Sequence, residues 1–187
     1  KDKGHCNFFD SMPQLLEYLQ VDSAVLTKLA LITKVKADGT KKHRLIWDLL
    51  RSEVNATVSL TERIVLPRIQ DAVDDASDLL RQGHGDLEWL VLDIADAFHN
   101  IPMLPSERRF TCGKVGDKFI VFEVLCMGGK SSPNIWGRFA AAIGRILASI
   151  FDPNEFRCEI YVDDPLMAVV GSFETVSYTH LRAHETL

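Results

Sequence analysis

The sequence predicts an α+β fold of antiparallel strand pairs backed by helices, on three observations. Apolar runs at 156–161 and 166–170 are separated only by a short acidic stretch, which reads as a tight hairpin. Apolar runs at 29–35 and 44–50 flank Asp38-Gly39, a strong hairpin signal because this dipeptide supplies the backbone twist of a two-strand turn. Stretches 67–82 and 133–150 carry apolar residues at helical spacing.

The bulk composition bounds the rest. The chain has 187 residues, 47% of them hydrophobic, enough for one globular domain or two subdomains with a sizeable core. No stretch approaches a membrane span, so no membrane partner is expected, and nothing resembles a signal peptide. Cys6, Cys112, Cys126 and Cys158 are widely spaced with no CxxC pair. They read as reduced core or near-core thiols of an intracellular protein, whose compartment, a cytoplasmic particle or the nucleus, is left open. The net charge of −5 argues against an open, non-specific nucleic-acid binder but not against an enzyme with basic residues gathered in one cleft.

Taken in order, the chain opens with Ser11-Met12-Pro13 before leucines at helical spacing, a helix start without functional content. The 29–50 hairpin carries Lys34, Lys36, Lys41, Lys42, His43 and Arg44. It reads equally as an exposed edge protected by lysines and as a phosphate-contacting finger. The 67–82 helix turns Asp74, Asp75 and Asp78 to solvent on this reading. The run 87–95 has the pattern of a strand buried on both faces, ending in Asp93, whose ionised carboxylate is costly to bury unless paired or metal-bound. Arg108 and Arg109 fall in a polar loop, and 119–125 is another strand. Met127-Gly128-Gly129-Lys130 leads into a helix with Pro133 in its first turn, a weak phosphate-binding signal without the spacing of a Walker loop.

Asp163 and Asp164 sit at the tip of the last hairpin. Alone, the pair reads as an ordinary turn, since Asp favours turns through local hydrogen bonds. Asp93 changes that reading. Three carboxylates on neighbouring strands would hold two divalent cations, which stabilise the attacking and leaving oxygens of an in-line phosphoryl displacement.

Four stretches, in order, carry a family resemblance. Val91-Leu-Asp-Ile-Ala-Asp-Ala-Phe-His-Asn-Ile-Pro-Met-Leu104 resembles the first catalytic motif of retroviral and retrotransposon reverse transcriptases. Phe122-Glu-Val-Leu-Cys-Met-Gly-Gly-Lys-Ser-Ser-Pro-Asn-Ile-Trp136 is similar to their template- and nucleotide-contacting loop and helix. Tyr161-Val-Asp-Asp164 is similar to their signature hairpin, and the basic hairpin with Arg44-Leu-Ile-Trp-Asp48 and Asn55 resembles their fingers strands. The resemblance covers roughly 29–171.

It implies a truncated right-hand polymerase, α+β, with an antiparallel palm sheet backed by helices. The segments would be a helical lead-in at 1–28, fingers at 29–86 and palm at 87–175. The implied activity is RNA-directed DNA polymerisation, a nucleotidyltransferase adding dNTPs to a primer 3′-hydroxyl on an RNA or DNA template. Two Mg²⁺, with Mn²⁺ as an alternative, would be held by Asp93 and Asp163, with Asp164 beside them and the Ile94 carbonyl completing the nucleotide's metal site. Arg44 would grip the triphosphate, the backbone of Asp96 and Ala97 would face the phosphates, and Phe98 would lie under the sugar and exclude a ribose 2′-hydroxyl. Met127, where the family commonly has glutamine, and Gly128 would line the base and template pocket. Tyr161 would support the primer end, and Lys130 would contact the template, a surface charge being an equal reading of that lysine. Pro165 after the acidic pair would stiffen the hairpin exit at the expense of one ladder bond.

Two rival readings follow from the same residues: an RNA-dependent RNA polymerase, opposed by the bulk of Phe98, and a decayed or domesticated nucleic-acid-binding copy, opposed by the three intact acids. Val176-Ser-Tyr-Thr-His-Leu-Arg-Ala-His-Glu-Thr186 resembles translated sequencing adapter. With thumb and RNase H regions absent from the sequence, the isolated chain is expected to extend primers poorly or not at all. The oligomeric state is left open.

Overall fold

The computed structural model describes residues 4–82 and 85–171. The adapter-like stretch, 176–186, lies outside them. The described strands are β1 (Cys6–Phe9), β2 (Leu26–Thr27), β3 (Leu29–Val35), β4 (Lys41–Trp47), β5 (Asp86–Val91), β6 (Cys112–Val115), β7 (Lys118–Phe122), β8 (Phe156–Tyr161) and β9 (Asp164–Gly171). The helices are α1 (Met12–Leu19), α2 (Val54–Thr57), α3 (Ile69–Arg81) and α4 (Ser132–Ile150). The chain divides into two compact units, residues 1–63 with 96–136, and 64–95 with 137–187. The second unit draws on both the 29–86 and the 87–175 stretches.

The first unit holds a four-stranded sheet in the order β1-β7-β6-β2 and the separate β3–β4 hairpin. Ser11 caps α1, its side chain accepting from the Gln14 N–H, and Gln20 closes it in a left-handed conformation. Both devices satisfy backbone groups that a helix end leaves open. Leu15 of α1 is fully buried with Cys112 and Val121. A second cluster gathers Trp47, Leu49, Ile120, Phe122 and Cys126. The β3–β4 turn is built as the Asp-Gly signal demands: Asp38 Oδ1 accepts from the Thr40 N–H at 2.9 Å, and Gly39 takes a positive φ of 80°.

Here β4 starts at Lys41 and stops at Trp47, rather than spanning 44–50. The chain turns at Asp48, whose side chain accepts from the Arg51 N–H at 3.1 Å and whose N–H donates to the Lys28 carbonyl. Strand β7 stands where a strand over 119–125 is expected, although it ends at Phe122; its hairpin partner β6, joined to it by Gly116-Asp117, and strands β1 and β2 are not foreseen. Residues Pro105–Phe110, read as a loop, form a short 3-10 segment. There Arg108 donates to Glu123 at 2.9 Å, and Glu123 also accepts from the Tyr18 hydroxyl.

In the second unit an antiparallel sheet runs β5-β9-β8. Alternate residues of central β9 face opposite sides, as a strand's period of two requires. Ala168 and Val170 pack with Leu79 of α3 and Leu87. Met167 and Val169 pack with Phe156, Leu90 and, from α4, Leu147. The antiparallel sheet backed by helices is therefore the architecture expected.

Strand β5 departs from expectation. It ends at Val91, not Ala95, and it is an edge strand with Trp89 45% and Val91 65% exposed. Only Leu87, among the described residues of β5, joins the α3 cluster. Asp75 departs too. It is half-buried against β8 rather than solvated, 3.8 Å from Arg157 and hydrogen-bonded to Glu159.

Cys6, Cys112, Cys126 and Cys158 form no disulfide. Burial pushes the thiols of Cys126 and Cys158 up to about 11 and that of Cys112 up to about 12. Such thiols carry almost no thiolate at neutral pH and are inert core groups. Among the described residues, no helix is long and apolar enough to cross a membrane.

Candidate active site

The acidic hairpin is formed as the sequence predicts. Tyr161 pairs with Asp164, so Val162-Asp163 is a two-residue turn. Val162 stands at φ +59°. A β-branched residue is a genuine outlier there, because its Cβ crowds the following carbonyl. Tight two-residue turns need such a positive φ to match the twist of the strands. The hairpin thus carries a local conflict between its first turn residue and its geometry, held by the β8–β9 ladder.

The Asp93 segment continues the β5–β9 ladder past the end of the strand. Leu92 N–H donates to the Pro165 carbonyl at 3.0 Å, and Ile94 N–H donates to the Asp163 carbonyl at 2.9 Å. Pro165 has no N–H to return, which is the ladder bond its ring removes. These two bonds bracket one position on each strand. The register that pairs Val91 with Leu166 therefore sets Asp93 directly opposite Asp164, with Asp163 one residue away in the turn. Directly opposed like charges destabilise an antiparallel pair.

Asp93 and Asp164 are exposed, and Asp163 is half-buried. The expectation that Asp93 ends a buried strand is therefore corrected. Its side chain is exposed, so burial is not what sets it apart; its place opposite Asp164 is. All three side chains offer hard oxygen donors, which fits a divalent cation of the magnesium type. Among the described residues, no three acidic, His or Cys side chains converge into a preformed cage. The backbone holds the acids in register, and it does not gather them.

The other sequence-predicted residues lie in the first unit, with Tyr161 and Ile94 in the second. Arg44 is exposed on β4 opposite Ile32. Asp96 takes a left-handed conformation, φ 54°, and starts the 3-10 turn Ala97–Asn100, its carbonyl accepting from His99 N–H at 2.7 Å. Ala97 is buried and Phe98 half-buried. Tyr161 is 55% exposed. Met127 is half-buried, and its carbonyl accepts from the Trp47 N–H at 3.0 Å. Gly128 has φ +110°, and a Cβ there would stand 2.0 Å from the Trp47 carbonyl oxygen. Lys130 Nζ donates to the Val58 carbonyl at 2.8 Å, so one of its three N–H groups serves the fold. Asn55 received no role from the sequence, although its amide joins this loop at two points.

The family model for reverse transcriptase (RNA-dependent DNA polymerase) matches residues 32–187. The chain belongs to the reverse transcriptase family. Its match takes in the acidic hairpin, the 127–130 loop, β4 and all but the first three residues of β3, and it extends through the 176–187 stretch. Among solved structures, the chain is similar to a prototype foamy virus protease-reverse transcriptase, a selenomethionine-labelled mutant, with TM-score 0.59 and 20% identity over 97% of this chain and 20% of that one. The native protein of the same virus matches with TM-score 0.54 and 22% identity over 86% of this chain and 18% of that one. Identity this low establishes the fold, a right-hand polymerase's fingers and palm. The chain spans about a fifth of the length of these structures. No curated protein matches it.

Proposed function

We propose that this chain carries the catalytic centre of an RNA-directed DNA polymerase of a retroelement, transferring dNTPs to a primer 3′-hydroxyl. The observation that carries the reading is the opposition of Asp93 and Asp164 across one ladder, with Asp163 tied to Ile94 beside them. Three negative charges in so short a span favour divalent cations as partners, and Asp93, Asp163, Asp164 and the Ile94 carbonyl would hold two Mg²⁺, or Mn²⁺. Bound there, the ions supply charge neutralisation for an in-line phosphoryl displacement.

The protein's own contribution is then positioning. Arg44 donates charge-assisted hydrogen bonds to the incoming triphosphate. The Asp96–Ala97 backbone faces the phosphates. Phe98 fills the space that a 2′-hydroxyl would need, which selects deoxynucleotides. Met127 and Gly128 border the base and template, while Tyr161 supports the primer end and Lys130 adds a cation toward the template backbone. Sequence information comes from template pairing, and affinity for the duplex comes mainly from phosphate contacts.

The test is primer extension on an RNA template by the longest reading frame that carries this chain, with Mg²⁺ and either dTTP or UTP. Extension with dTTP and not UTP is expected. Preference for UTP would replace the reading with an RNA polymerase, and template binding without extension would replace it with a non-catalytic nucleic-acid-binding protein.

A further inference from the structure

The 127–130 loop is held by a residue that the reading above leaves without a task. Asn55 lies half-buried in α2, the single helical turn that follows β4. Its Nδ2 donates to the Gly128 carbonyl at 2.9 Å, and its Oδ1 accepts from the Lys130 N–H at 2.8 Å. A side-chain amide has a donor and an acceptor side by side, and here each meets its complement on one loop. The clamp therefore fixes both the position and the rotation of the peptide units on either side of Gly129.

Neighbouring contacts aim the same loop at β4. Met127 takes the Trp47 N–H on its carbonyl, and Gly128 lies so close to the Trp47 carbonyl that no side chain fits between them. At the loop's far end, Ser132 Oγ donates to the Cys126 carbonyl at 3.0 Å and closes its base. The strand against which the loop is pressed also carries Arg44, three residues before Trp47. The loop that would border the base and the strand that would hold the triphosphate are thus one braced piece, and Asn55 ties its side chain to the loop's backbone at both Gly128 and Lys130.

We infer that Asn55 is a positioning residue for the incoming nucleotide. By clamping Gly128 and Lys130, it sets the place of Met127 and Gly128 relative to Arg44, and so sets nucleotide affinity without touching the nucleotide. This rests on the polymerase reading. The alternative is a residue that only supports the fold. Such a residue would move all kinetic constants together through the amount of folded enzyme.

The experiment compares the unsubstituted enzyme with Asn55→Ala and Asn55→Asp in the longest reading frame that carries the chain. Three quantities are read: dNTP KM and kcat in primer extension, template–primer Kd, and amide hydrogen exchange at Lys130. The aspartate keeps an acceptor for the Lys130 N–H but sets a carboxylate against the Gly128 carbonyl. Both variants are expected to raise dNTP KM by about tenfold, the loss expected for one to two hydrogen bonds. Little change is expected in kcat or template–primer Kd. Lys130 exchange should quicken in the alanine variant and stay slower in the aspartate variant. Should Asn55→Ala not fold, Asn55→Asp is read in the same way.

An unchanged dNTP KM overturns the inference, as does an equal loss in KM, kcat and template–primer Kd. Unsubstituted enzyme that extends no primer overturns the polymerase reading and this inference with it. That outcome is distinct because it is seen before any substitution, and the exchange measurement still reports whether the clamp exists.

Discussion

The Ile94 N–H donates to the carbonyl oxygen of Asp163 at 2.9 Å, and that bond joins the two acid-bearing segments of the chain. It extends a sheet ladder three residues beyond the end of β5, with no help from the side chains themselves. The acids therefore keep their register whatever their charge, and substitution of one should separate chemistry from stability.

Asp93→Asn is the direct case. It removes a negative charge that stands opposite Asp164, so without divalent cation the variant should be more stable by roughly 0.2–1 kcal/mol in urea unfolding. Added Mg²⁺ should stabilise the unsubstituted chain by mass action and the variant much less. Primer extension should fall on the order of 10³-fold, since several kcal/mol of charge stabilisation go with the ligand. A variant that is less stable without Mg²⁺ would show that the opposed charges are not in conflict.

Val162→Gly tests the hairpin's backbone conflict. Holding a β-branched residue at φ +59° costs about 1–2 kcal/mol, and glycine removes that while losing up to about 1 kcal/mol through its freer unfolded chain. A net gain of about 1 kcal/mol in urea unfolding is expected. A loss of stability would mean that contacts of the Val162 side chain outweigh the strain.

Those two residues also mark how far the sequence could be read. The tip hairpin was legible because 156–161 and 166–170 are short apolar runs around two polar residues, and β8 matches that span residue for residue. Helix α4 was legible from Pro133 and the stripe behind it. The end of β5 was not, because Leu92, Ile94 and Ala95 continue an apolar run while Pro165, seventy residues on, interrupts its ladder. An exposed edge strand and a buried one are alike in such a run, and only the partner strand tells them apart. Strand β6 is short and interrupted by Gly113 and Lys114, although Gly116-Asp117 is a turn signal that could have revealed its hairpin. Asn55 looks like any polar loop residue until Gly128 and Lys130, more than seventy positions away, come within hydrogen-bond reach.

Gly128→Ala should be among the most damaging single substitutions in the chain. Its φ of +110° disfavours any side chain, and the new Cβ would meet the Trp47 carbonyl oxygen, a backbone atom that cannot swing away. Relief requires the loop to leave β4, which breaks the bond from Trp47 N–H to Met127 and the Asn55 clamp. A loss on the order of 3 kcal/mol in guanidinium unfolding is expected. At Gly39, whose added Cβ would meet nothing within 4 Å, the same change should cost less, about 1 kcal/mol or so from its positive φ alone.

The pair formed by Asp75 on α3 and Glu159 on β8 gives the fold a dependence on pH. Burial raises both carboxyls above their ordinary values, and the hydrogen bond between them raises Glu159 further because its proton is the one they share. Arg157 opposes the shift on Asp75, with Asp71 and Asp78 adding negative charge from the same helix. A raised acid binds more protons folded than unfolded, so stability falls as pH rises. The stabilising contribution is complete below the ordinary carboxyl values of 3.8 and 4.5 and is lost as pH passes upward through the raised ones. Glu159→Gln keeps a donor for Asp75 and removes the proton that must leave. Urea unfolding across this range should show the unsubstituted chain losing stability that the variant retains, and near pH 7 the variant should be the more stable of the two. Parallel curves for the two proteins would mean that Asp75 and Glu159 do not share a proton in the folded chain.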